Sequence, residues 1–143
     1  MTVNKILFVC TGNSARSQMA EGFARAYGKE KVEAFSAGME PRELNPFTVE
    51  VMLERGIDIS HHRSKAFSEE LASAMDYVIT VCGNAEERCP LLPPEVRGLH
   101  WPLEDPAQTE GTPQEIRETF RKCRDEIEVR VQHLLVDIGV RQL

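Results

Sequence analysis

The chain alternates short apolar runs with stretches of helical period. Ile6-Leu7-Phe8-Val9 is an unbroken apolar run, which predicts a buried strand over residues 5–10. A helix follows from near Ser17, with Ala20, Phe23, Ala24 and Tyr27 on one face and Gly28 at its end. Residues 32–37 predict a second strand, and Asn45-Pro46 opens a helix with Asn as cap and Pro in the first turn. Val49, Met52 and Leu53 form the predicted buried face of that helix, and Gly56 stops it. Residues 67–74 predict a short helix, 76–82 a strand and 97–101 a last short strand. From Pro113 onward, Ile116, Phe120, Cys123, Ile127, Val131, Leu134 and Ile138 recur at gaps of three and four, the apolar stripe of a long helix. Cys123 sits on that stripe and reads as core.

Strands alternating with helices imply an α/β protein with a parallel sheet covered on both faces. Ligands of such sheets bind at the carboxyl ends of the strands. Cys10 and Cys82 each close a predicted strand, so both fall at that edge. No repeat, low-complexity stretch or linker interrupts the chain, and residues 1–143 read as a single domain. Apolar residues make up 41% and charged residues 28%, ordinary for a soluble globule. The net charge of −6 argues against nucleic acid and anionic membranes as partners. It also requires any anion site to be a local positive pocket. The apolar run after Lys5 is too short for a signal peptide or a membrane span, which predicts a cytoplasmic protein. A disulfide in that compartment is transient and catalytic.

Residues Cys10 to Ser17 read Cys-Thr-Gly-Asn-Ser-Ala-Arg-Ser, between a predicted strand and a predicted helix. Backbone N–H groups of such a loop, together with the helix N-terminus, favour a bound anion. The same positive field favours the thiolate of a Cys at its floor, a nucleophile. Arg16 adds a planar fork able to hold two oxygens of a tetrahedral anion. Gly12 is expected to let the backbone turn tightly around that anion. A Cys that ends a buried strand is often only a small hydrophobe, but that reading leaves Gly12, Arg16 and Ser17 unexplained.

This pattern resembles the low-molecular-weight protein tyrosine phosphatase fold family, whose phosphate loop is Cys-x5-Arg-Ser. The resemblance implies a three-layer α/β/α architecture with a four-stranded parallel sheet, the phosphatase I fold. It implies that Cys10 is the nucleophile, Arg16 grips the oxyanion, Ser17 supports the thiolate and Asn13 tethers the loop. Thr11, Gly12, Asn13, Ser14, Ala15, Arg16 and Ser17 would surround the substrate. Asp105-Pro106 matches the family's general acid on a late loop.

A second feature points to one branch. The predicted strand ending at Cys82 is followed by Gly83-Asn84-Ala85-Glu86-Glu87-Arg88 and then Cys89-Pro90. A zinc site would want further Cys or His close by, and neither thiol has one beside it in sequence. The segment, with the Pro-rich tract after it and His100-Trp101, resembles the thioredoxin-coupled arsenate reductases. That resemblance implies three thiols acting in turn, through a Cys10–Cys82 disulfide and then a Cys82–Cys89 disulfide. It implies arsenate as substrate, phosphate or sulfate as mimics, and thioredoxin as electron donor. The alternatives are a phosphatase for aryl or protein phosphotyrosine, using only Cys10, Arg16 and Asp105, and a non-catalytic oxyanion sensor. Many relatives carry Cys where this chain has Ala15, outside the three-thiol set. Some bind potassium through residues matching Asn13, Glu21, Ser36 and an Asp whose place is taken here by Lys65. A Lys ammonium there supplies the positive charge, so the expectation is no cofactor and no metal. His61-His62 read as a solvated pair and Trp101 as packing.

Overall fold

The computed structural model describes residues 3–83, 90, 92 and 94–141. Four strands, β1 (Asn4–Cys10), β2 (Val32–Gly38), β3 (Tyr77–Thr80) and β4 (Arg97–His100), form one parallel sheet in the order β2-β1-β3-β4. The helices are α1 (Arg16–Gly28), α2 (Pro46–Leu53), α3 (Glu69–Ser73) and α4 (Pro113–Asp137), with short 3-10 turns at Lys29–Lys31 and Pro106–Gln108.

Strand β1 runs apolar and buried from Ile6 to Cys10 because both of its faces are covered. Ile6, Phe8, Ile79 and Val81 face a core shared with α1, α2 and α4. Leu7, Val9 and Val78 face a smaller core closed by Ala72 of α3 together with Met75 and Val96. The result is a three-layer α/β/α sandwich, with β1 in its interior and Cys10 at the carboxyl end of that strand.

The local signals sit where the sequence places them. Asn45 caps α2 by accepting from the Phe47 N–H at 2.9 Å, with Pro46 first in the helix. Thr112 and Glu115 close a capping box ahead of α4. Two expectations change. The buried face of α2 is Thr48, Val51 and Met52, while Leu53 is 58% exposed. The helix lies over α4 by its Val51 side, which turns Leu53 outward. Strand β3 stops at Thr80, so Cys82 lies two residues beyond the strand rather than closing it. The tract around Pro90 contributes only Pro90, Leu92 and Pro94 to the described residues.

Helices α2 and α4 are also joined by charge. Arg124, 5% exposed, donates to the Val51 carbonyl at 3.0 Å and to Glu54 at 2.6 Å. Arg121 donates to the same carboxylate at 2.6 and 3.0 Å. Hydrogen bonds from Arg121, then from Arg124, hold the Glu54 carboxyl down at about 2 against the opposing effect of burial. A carboxyl depressed in the folded state stabilises above its unfolded value of 4.5, and that stability is lost as pH falls towards 2. Replacing Glu54 with Gln is therefore expected to lower Tm by a few degrees at pH 7. The gap to the unsubstituted protein should close as the melts are repeated down towards pH 2; a gap that stays constant contradicts the assignment.

Candidate active site

Five residues, Thr11 to Ala15, join β1 to α1. Their course is set from outside. Met39, Glu40, Arg42 and Asn45 donate main-chain N–H groups to the carbonyls of Cys10 (3.1 Å), Thr11 (2.8 Å), Gly12 (2.9 Å) and Ser14 (3.1 Å). The Asn13 carbonyl accepts from Gln18 Nε2 at 3.1 Å and Ser64 Oγ at 2.8 Å. In a trans peptide the N–H of the next residue points opposite to the carbonyl. With five successive carbonyls drawn outward, the N–H groups of residues 11–15 turn inward. The Asn13 N–H does so visibly, donating to Cys10 Sγ at 3.3 Å. Helix α1 adds its own uncapped start: no side chain caps Ala15, and the first turn carries no acid. The loop is thus a ring of donors suited to a tetrahedral anion.

Cys10 lies at the floor of this ring, 1% exposed. Its Sγ is 2.9 Å from Ser17 Oγ, and Asn13 Nδ2 donates to that hydroxyl at 2.7 Å. Once the sulfur is ionised, the Ser17 hydroxyl must be the donor to it. Asn13 adopts φ of 49°, in the left-handed region that Asn tolerates better than most residues. Gly12 was expected to make the tight turn, but its φ is not positive and the reversal falls on Asn13. The glycine the loop needs is Gly38, at the end of β2. A Cβ there would come within 2.8 Å of the Thr11 carbonyl and the Asn13 nitrogen.

Arg16 opens α1 with its side chain 1% exposed. Nη1 donates to the Leu103 carbonyl at 2.8 Å, and Nη2 is 3.7 Å from Asp105 Oδ2. Asp105 caps the Pro106–Gln108 turn, its Oδ1 accepting from the Ala107 N–H at 3.0 Å. One carboxyl oxygen is therefore committed to the backbone and the other faces the guanidinium. Arg42 Nη1 stands 3.9 Å from that same Oδ2. Trp101 is buried and packs on Phe8 with ring centroids 5.8 Å apart.

Behind the loop lies a second cluster. Glu21, 3% exposed, accepts from Ser36 Oγ at 2.7 Å. Lys65 Nζ is 3.9 Å away, and Arg25 Nη2 and His62 Nδ1 are each 3.4 Å away. Burial lowers the Lys65 pKa while Glu21 pulls it back up, and the same two opposing effects act on His62. His62 is not a solvated residue as its loop position suggests. Its Nδ1 meets Gln18 Oε1 at 3.0 Å. Since Gln18 Nε2 donates to the Asn13 and Arg63 carbonyls, Oε1 is the acceptor and His62 Nδ1 carries the proton. The Lys65 main-chain N–H donates to Asn13 Oδ1 at 2.8 Å.

Cys82 is buried and disulfide-bonded, whereas Cys10 and Cys123 are free thiols. Val9 pairs with Thr80, and the Val81 N–H donates to the Val9 carbonyl at 2.7 Å. Cys82 thus follows one position past the level of Cys10 on the neighbouring strand's extension. Gly83 comes next because nothing larger fits: a Cβ there would lie 2.4 Å from the Leu103 carbonyl oxygen. That contact brings the Cys82 segment against the loop that carries Asp105. Cys89 lies outside the described residues. Cys123 packs against the core, and burial pushes its thiol up to about 12, an inert value.

The structure brings together residues 10–17, Arg16 and Asp105 at one sheet edge, with Cys82 beside them. Sequence reading missed Gln18, His62 and Arg42. Gln18 left no signal, because a polar side chain off the apolar face of an amphipathic helix is ordinary.

Residues 5–142 match the model of the low molecular weight phosphotyrosine protein phosphatase family. A protein named arsenate reductase from Shouchella clausii is 47% identical over 132 residues, 92% of this chain and 95% of that one. A solved thioredoxin-dependent arsenate reductase from Corynebacterium glutamicum is 35% identical with a TM-score of 0.73, covering 99% of this chain and 64% of the other. A structure described as an arsenate reductase in the phosphate binding state is 36% identical with a TM-score of 0.76, covering 96% of this chain and all of the other, 100%. With the family match running from the first strand through the last helix, the chain belongs to the low molecular weight phosphotyrosine protein phosphatase family, and the relatives named here lie on its arsenate reductase side.

Proposed function

We propose that the chain reduces arsenate to arsenite with Cys10, Cys82 and Cys89 as successive thiols and thioredoxin as electron donor. The observation that carries this is the placement of a disulfide-bonded Cys82 one position past the level of the Cys10 thiol, at the same edge. A phosphatase needs Cys10, Arg16 and Asp105 alone and gives Cys82 no work. A sensor would form the disulfide once and stop.

The chemistry follows from the groups in place. Arsenate sits in the donor ring with Arg16 on two of its oxygens. The Cys10 thiolate attacks arsenic, and Asp105 protonates the departing oxygen, which leaves as water. The Cys82 thiolate then attacks Cys10 Sγ. The sulfur–arsenic bond breaks, its electron pair stays on arsenic, and arsenic leaves as As(III). Cys10 and Cys82 are now a disulfide. The Cys89 thiolate attacks Cys82 Sγ, Cys10 departs as thiolate, and the disulfide passes to Cys82–Cys89. A dithiol reductant takes it through two further exchanges, which returns both thiols.

No metal enters this scheme. The buried Glu21 carboxylate has the Lys65 and Arg25 cations beside it, so the positive charge that would hold the back of the loop comes from the chain itself.

The test is NADPH consumption in the presence of arsenate, thioredoxin and thioredoxin reductase. Cys82→Ser and Cys89→Ser are both expected to lose multiple turnover, while sustained turnover in either removes that thiol from the relay. Exchanging potassium for sodium at matched ionic strength should leave the rate unchanged. Stimulation by potassium would contradict the role given to Lys65.

A further inference from the structure

The scheme above leaves Arg42 idle, yet its position is built. Its main-chain N–H holds the Gly12 carbonyl at 2.9 Å. Its stem crosses the loop, with Cδ and Nε 3.5 Å from where a Cβ on Gly12 would sit. Its Nη1 ends 3.9 Å from Asp105 Oδ2, the oxygen that Arg16 Nη2 approaches at 3.7 Å. Two guanidiniums thus share one carboxylate oxygen, and neither is within hydrogen-bond distance of it. They differ in freedom: the Arg16 side chain is 1% exposed and the Arg42 side chain 46%. Arg16 is fixed by the Leu103 carbonyl, whereas Arg42 is free to turn about an anchored root.

We propose that Arg42 is a second oxyanion-binding guanidinium, which leaves Asp105 Oδ2 for an oxygen of the tetrahedral anion when that anion fills the loop. This rests on the arsenate reading for its substrate, although any phosphate-like anion would recruit the same group. The physical reason is charge. A doubly charged anion attracts a guanidinium more strongly than a single carboxylate does at similar distance. Once Asp105 carries the proton it will donate, it no longer holds Arg42. The fork of Arg42 then closes over the mouth of a site that Arg16 grips from inside. The gain is modest because the side chain is half exposed.

Arsenate saturation kinetics and calorimetric titration with inorganic phosphate, on the unsubstituted protein, Arg42→Ala and Arg42→Lys, test this. Alanine keeps the main-chain bond to Gly12, so the loop is preserved. Arg42→Ala is expected to raise KM for arsenate about fivefold with kcat changed less than about twofold. The phosphate Kd should weaken by the same factor, and Arg42→Lys should recover most of both. The difference should shrink at about 0.5 M salt, where an exposed charge is screened. The proposal is overturned by an unchanged KM and Kd in Arg42→Ala, by Arg42→Lys as impaired as Arg42→Ala, or by a fall in kcat and Tm together, which would mean a packing role. If the unsubstituted protein reduces no arsenate, the functional reading fails, and the phosphate titration still decides the role of Arg42.

Discussion

The site depends on where five carbonyls point. The oxygens of Cys10 to Ser14 are each taken by a donor outside the loop, four of them by the strap of residues 39–45. Planar trans peptides convert that outward pull into an inward ring of N–H groups. No side chain has to supply the positive potential at the floor, and the protein can remain acidic overall at −6. The strap follows β2 directly, and β2 pairs with β1 in register from Asn4 to Cys10. The sheet therefore sets the loop, and Gly38 is the point at which strap and loop come too close for any side chain.

Helix α1 serves both sides of the loop. Arg16 and Ser17 reach the front, at the carboxylate of Asp105 and the sulfur of Cys10. Gln18 and Glu21 reach the back, where Gln18 binds the Asn13 backbone and Glu21 gathers Lys65, Arg25 and His62. The strained φ of Asn13 is held by this back cluster, because its side chain and its carbonyl both find partners there. A buried carboxylate without the Lys65 and Arg25 cations would be costly, and removing them would loosen the residue that shapes the sulfur's surroundings.

Much of this was legible along the chain because it is local. The Cys10–Arg16 spacing, the Asn45-Pro46 helix start, the stripe of α4 and the order of strands and helices each involve neighbours within a few residues. What escaped depends on contacts far apart in sequence. The strap is about thirty residues from the loop it steers, and nothing in residues 39–45 marks them as hydrogen-bond donors to Cys10–Ser14. Gly12 looked like the turning point because glycine tolerates positive φ, but the clamp on Asn13 forces the reversal one residue later. His62 looked solvated until the fold set it against Gln18 and Glu21. Leu53 fits a helical apolar face by spacing, but α2 buries Thr48, Val51 and Met52 and leaves Leu53 outward.

The reduction of arsenic turns on Cys82, whose thiolate attacks Cys10 Sγ so that both sulfurs end as a disulfide and the electron pair of the sulfur–arsenic bond stays on arsenic. The most direct measurement is a single turnover of fully reduced protein with one equivalent of arsenate and no reductant, quenched in acid. Arsenite is quantified and the disulfides are mapped by mass spectrometry. The expected result is one arsenite per chain, a Cys82–Cys89 disulfide in the unsubstituted protein and a Cys10–Cys82 disulfide in Cys89→Ser. Arsenite formed with Cys82 still reduced in both proteins, or no arsenite at all, would contradict it.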